Sequence, residues 1–133
     1  MVQRKRKELA VGEAYQELER RWSEFNDLDP AGMSACSSGT AALHLALEAM
    51  QLPHGSQVVV PDFNMIAVPR AVTLAGLTPV FVDCDETLNM DPNLLHTQGA
   101  SRTGKYVSVI IAVHIYGRQC DMNRVHIENA MVI

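Results

Sequence analysis

With 133 residues, 47% of them hydrophobic and 20% charged, the chain has the balance of a globular protein and enough length for one core. The formal net charge is −4, and outside "RKRK" at Arg4 to Lys7 the basic residues are scattered, so no broad positive face offers itself to nucleic acid. No run is long and apolar enough to cross a bilayer, the charged start leads into no signal segment, and Cys36, Cys84 and Cys120 form no CxxC pair; a soluble, cytoplasmic protein with reduced thiols is expected.

"RKRK" reads as a solvated chain end. From Glu8 to Phe25 the apolar residues Leu9, Tyr15, Leu18, Trp22 and Phe25 recur at helical spacing among charges, which predicts an amphipathic helix with Gly12 as a weak point and "NDLDPAG" as its stop. "SACSSGTAALHLALEAM" then opens a second helix whose entrance is small and hydroxylated while its body is apolar. Either a serine, Ser37 or Ser38, caps this helix, or the segment holds an anion. Gly39 lets an anion approach the backbone, Thr40 and Ser38 add hydroxyls, and the free N–H groups of the first turn complete a phosphate cup.

"LPHGSQ" is a turn and "VVVP" a β-branched strand covered on both faces. "MIAVPRAVTLAG" predicts a helix ending at Gly76, with Pro69 in its first turn or delaying its start, and "TPVFVD" the next buried strand. Asp91 and Pro92 predict an N-cap and first position for a helix in "NMDPNLLHTQG". "KYVSVIIAVHI" carries the strongest β pattern, closed by Tyr116-Gly117; a short helix around Met122 to Asn129 follows, and "AMVI" reads as the start of a fourth strand. Strands alternating with helices predict an α/β fold, a mostly parallel sheet between helical layers. Residues 1–133 read as one domain, incomplete at its C-terminus.

The chain has no GxGxxG and no GxxxxGK[ST]. Instead "SSGTAALHLAL", "VVVPDFNMIAVPRAVTLAGLTPVFVDCD", "LNMDPNLL" and "VHIYGRQCDM" stand in order, and together they resemble the N-terminal part of the DegT/DnrJ/EryC1/StrS family of pyridoxal-phosphate sugar aminotransferases. The resemblance implies part of the large domain of the aspartate-aminotransferase fold. It also implies transfer of an amino group from glutamate or glutamine to a keto group of a nucleotide-linked sugar, usually by a homodimer with active sites at the subunit interface.

Carried onto this sequence, the resemblance makes Gly39, Thr40 and the N–H of Ala41 the holders of the cofactor phosphate. Met65 stands where the family usually has an aromatic residue stacked on the pyridine ring; a thioether can cover a ring face or simply fill core. Phe63 is the alternative aromatic, which strand alternation would bury. His114, at the end of the third strand, either bonds near the cofactor or acts in proton transfer, or is structural, and Asp83 with Asp85 reads as a carboxylate pair or an acidic turn. His44 reads as a packed or partly exposed helix residue, and His54, His96 and His126 have no metal-ligand spacing.

No catalytic residue can be assigned. The family's cofactor-binding lysine and the carboxylate beside the pyridine nitrogen have no match among Lys5, Lys7, Lys105 and the acidic residues present. The chain alone is therefore expected to be inactive. The competing expectation is a catalytically dead α/β binding or interaction module.

Overall fold

In the computed structural model, residues 13–100, 107–126 and 129–133 are described. "RKRK", Gly12, Lys105 and the first turns expected from Glu8 lie outside them. The described chain divides into two compact units, Met1–Ser37 and Ser38–Ile133.

In the first unit, helix α1 (Glu13–Asn26) follows the predicted period. Arg20 bridges Glu17 and Glu24, and Arg21 also reaches Glu17, so the polar face is laced by pairs three and four residues apart. Its apolar residues Tyr15, Leu18, Trp22 and Phe25 are exposed, and Ser23 is the helix's buried residue. Glu19 accepts the Ala35 N–H, which folds the segment after the helix back along it.

The second unit holds helices α2 (Gly39–Ala49) and α3 (Ala67–Leu74) and strands β1 (Gln57–Pro61), β2 (Thr78–Val82), β3 (Val107–Ile110) and β4 (Met131–Val132). The sheet order is β2-β1-β3-β4 and every pairing is parallel. β1 is central and buried along its whole length, as a β-branched run covered on both faces should be. Val58 and Val60 face one layer with Leu47 of α2 and Val68, Ala71 and Val72 of α3. Val59 faces the other, with Val82, Met90, Leu95, Cys120 and Val125.

A bulge offsets β3 against β1: Gln57 pairs with Val107 but Val58 pairs with Val109, leaving Ser108 as the extra residue. Val107 and Ile110 therefore share one layer while Val109 and Ile111 point to the other. Helix α3 ends as its sequence suggests. Gly76 takes φ +69°, its N–H donates to the Thr73 carbonyl, and the Leu77 N–H donates to that of Val72, with Leu77 and Val72 packed in one apolar cluster. That is a Schellman stop with its accompanying hydrophobic contact.

Four local expectations are corrected. β2 is not buried: it forms the edge of the sheet, and only Val82 is fully covered. The third strand ends at Ile110, although Ile111 and Ala112 continue the ladder through Val59 and Ile133; Val113 to Ile115 have left it because β1 turns away after Pro61. Residues 122–124 make a turn on Asp121 rather than a helix, since both Arg124 and Val125 donate to the single Asp121 carbonyl. After Asp91, which accepts from the Asn93 N–H, the chain forms a 3₁₀ turn (Pro92–Leu94) and a π-helical stretch (Leu95–Ala100) in place of an α-helix. The fourth strand does begin at "AMVI".

Candidate functional site

After β1 the chain crosses through α3 to β2 on the layer that α2 shares. After β3 it crosses through Cys120 and Val125, on the opposite layer, to β4. Adjacent strands whose exits leave to opposite faces make a crevice at their carboxyl ends, and such a crevice is where open parallel sheets bind ligands. Here it lies between the segments that follow β1 and β3. Helix α2 feeds β1 through a short turn and packs back along it, so its N-terminus is carried to the same end of the sheet.

At that N-terminus, Ser38 is extended (φ −162°, ψ 162°) and its Oγ accepts the Ala41 N–H at 3.2 Å. The capping reading is therefore realised at Ser38, and it engages one of the donors expected to hold phosphate. The amides of Gly39 and Thr40, as first-turn donors, have no intrahelical acceptor, and the Ser38 hydroxyl still has its own proton to donate. Gly39 is exposed, and a Cβ built on it would meet nothing within 4 Å, so the backbone there is open to an incoming group. Two amides, two hydroxyls and the positive end of a helix dipole fit a phosphate.

Met65 is 73% exposed, in the segment between β1 and α3. Phe63 is not buried as alternation predicted but 43% exposed, because β1 ends at Pro61 and the pleat ends with it. Its ring meets Tyr116 edge to face, centroids 6.3 Å apart, which ties the two lips of the crevice together. Asn64 turns its side-chain amide back to the Pro61 carbonyl.

His114 lies in the loop beyond β3 rather than on the strand, and its Nδ1 accepts the Cys120 N–H at 3.1 Å. That bond gives His114 a structural task. Asp85 is likewise a turn-former, accepting from both the N–H and the hydroxyl of Thr87. Burial pushes the Cys84 thiol up against a lowering hydrogen bond from the Phe63 backbone, and Asp62, Asp85 and Asp83 add to the rise; burial likewise raises Cys120. Neither thiol is biased toward the reactive thiolate form. His44 sits beside Glu48 on α2. Among the described residues no group of three or more His, Cys, Asp or Glu is placed to hold a metal ion, and no helix is long and apolar enough to cross a membrane.

Asn89 was not singled out from the sequence. It is buried between exposed Leu88 and buried Met90, and its side chain bonds Ile115, Thr87 and Gln119. The one signal was a lone amide beside an apolar residue in "LNM".

The family model for the DegT/DnrJ/EryC1/StrS aminotransferase family matches residues 2–129. A GDP-perosamine synthase of Caulobacter vibrioides is 40% identical over 115 residues, which are 86% of this chain and 29% of that protein. Among solved structures, a DegT DnrJ EryC1 StrS aminotransferase from Brucella abortus superposes with a TM-score of 0.71 at 30% identity, over 86% of this chain and 31% of that one. NtdA from Bacillus subtilis, solved with bound cofactor PMP, does so with 0.69 at 29% identity, over 84% and 25%. The parallel sheet with its helices is thus part of the α/β fold of the aspartate-aminotransferase type. The chain spans about a third or less of the length of these relatives. It belongs to the DegT/DnrJ/EryC1/StrS aminotransferase family.

Proposed function

We propose that this chain supplies the phosphate-holding part of a pyridoxal-phosphate site in a cytoplasmic nucleotide-sugar aminotransferase, a homodimer when complete, that takes its amino group from glutamate or glutamine. The observation that carries the proposal is the open first turn of α2 at the end of the sheet where the crevice lies. Pyridoxal phosphate, when bound, supplies an electron sink for the carbon that exchanges the amino group.

The protein's own residues bind and orient. The amides of Gly39 and Thr40 and the Thr40 hydroxyl would hold the phosphate, with Ala41 sharing its N–H between Ser38 and the anion. Met65 would lie over one ring face, and the edge-to-face pair Phe63 and Tyr116 would limit water at the mouth of the crevice. His114 would act by keeping the loop after β3 in shape through Cys120. Relatives named for GDP- and UDP-linked sugars support a nucleotide-linked keto sugar as substrate of the longer protein. On its own, residues 1–133 would not transaminate, having no lysine that matches the family's.

The test is binding of pyridoxal phosphate and of inorganic phosphate to the chain and to Thr40→Ala. The expected result is phosphate-dependent shifts of the Gly39 and Thr40 amides, weakened in Thr40→Ala with the fold intact, and no stable visible absorbance band. Unchanged affinity in Thr40→Ala would refute the cup, and a stoichiometric band lost in Lys105→Ala would refute the inactivity.

A further inference from the structure

The 3₁₀ turn Ile115–Gly117 carries Tyr116 to the mouth of the crevice, where it is 81% exposed, and it holds the non-glycine Tyr116 at φ +50°, ahead of Gly117 at φ +79°. A non-glycine residue in the left-handed region persists only where its surroundings hold it. The residue that should cap the turn, His114, makes no capping bond, because its Nδ1 is committed to the Cys120 N–H.

The Ile115 N–H at the head of the turn instead donates to Asn89 Oδ1 at 3.2 Å, from a loop 26 residues earlier. The same side chain donates through Nδ2 to the Gln119 carbonyl at 3.4 Å, on the far side of the turn, and to Thr87 Oγ1 at 3.1 Å. Thr87 is in turn held by Asp85, and the Asn89 carbonyl accepts the Asp85 N–H. Asn89 is only 4% exposed, so water does not compete for these bonds.

We infer that Asn89 is a positioning residue of the crevice: from the loop after β2 it caps the Ile115–Gly117 turn and spans it to Gln119, and so fixes where Tyr116 stands against Phe63. Its importance for ligands rests on the site proposed above; its effect on the loop does not. Only an amide carries both an acceptor for the Ile115 N–H and donors for Thr87 and Gln119 on one short stem. Aspartate keeps the acceptor and loses the donors, and alanine loses all three.

The experiment is residue-resolved amide exchange and ring-to-ring NOE measurement on the full 133-residue chain. In the wild type the Ile115 amide should be protected and the Phe63 and Tyr116 rings should show an NOE. In Asn89→Ala, Ile115 exchange should rise roughly three- to tenfold beyond the rise at core amides, the worth of one neutral hydrogen bond, and the NOE should vanish. Asn89→Asp should restore Ile115 protection. Val125→Ala, a cut in the same layer that touches none of these bonds, should leave the NOE in place at a matched loss of stability. Free exchange of Ile115 in the wild type would overturn the inference without any variant, and so would a ring contact that survives in Asn89→Ala. Absence of any phosphate response in the wild type would instead sink the ligand site and leave these readouts to decide on Asn89 alone.

Discussion

Substitutions at Ser38 separate the two roles that the start of α2 combines. In Ser38→Ala the bond from the Ala41 N–H to Oγ is lost, and loss of an N-cap costs about 1 kcal/mol. For a chain of this size that is a fall in Tm of roughly 3–6 °C. The same substitution frees the Ala41 N–H but removes the Ser38 hydroxyl, one donor exchanged for another, so affinity for phosphate should change little. Ser38→Asp keeps the cap, since aspartate and serine rank together there, and stability should stay within about 0.5 kcal/mol of the wild type. It also places a carboxylate in the turn that would hold a dianion. Unit charges 4 Å apart interact by about 1 kcal/mol in water and about 4 at an effective dielectric constant of 20, so the loss in phosphate affinity should exceed roughly tenfold at low salt. Thermal melts monitored by circular dichroism give the stabilities, and amide-shift titrations with inorganic phosphate and pyridoxamine phosphate give the affinities. Equal phosphate binding by all three proteins would reduce the segment to a cap. A stability loss in Ser38→Asp as large as in Ser38→Ala would refute the capping argument.

Two further outcomes follow from backbone and charge. Gly76→Ala puts a Cβ 2.8 Å from the His54 ring at φ +69°; the left-handed backbone should cost about 1–2 kcal/mol, read as a lower urea midpoint at unchanged m, and adding His54→Ala should recover only the steric part. Hydrogen bonds from Arg20 and then Arg21 hold the exposed Glu17 carboxyl down, from 4.5 to about 2. A depressed folded value means its support of α1 is complete above pH 4.5 and is lost as the pH falls toward 2. Helical ellipticity should decline over that window, and Glu17→Gln should remove its share of the decline; an unaltered acid profile in the variant would refute it.

What the sequence made legible was whatever depends on a residue's immediate neighbours. "VVVP" could only be a strand covered on both sides, and β1 is buried throughout. Gly76 after an apolar helix signalled its end, and the structure ends it there with Schellman bonds. "AMVI" was a strand because its β-branched end had a parallel partner in β3. The misreadings share a different cause, dependence on distant partners. "TPVFVD" has the composition of a buried strand, but its exposure was set by being at the edge of the sheet. Phe63 alternates correctly with β1 only if the strand continues, and it does not. Residues 122–124 had the composition of a helix but form a turn on the Asp121 carbonyl, with the Arg124 side chain held by the distant Asn93.

The same division runs through the candidate site. The entrance of α2 was legible because both capping and anion binding are properties of one helix turn. The place of the crevice between β1 and β3 was not, because it exists only where the exits of those strands part to opposite layers, a fact of strand order rather than of any motif. Asn89 lies at the extreme of this dependence: its partners at 115 and 119 are 26 and 30 residues away, and nothing within a window of helical or strand period points to them. A buried amide that bonds two ends of a remote turn is found by asking where the turn's unpaired N–H goes. That question leads from Ile115 to Asn89, and it makes the shape of the crevice depend on a residue that lines no part of it.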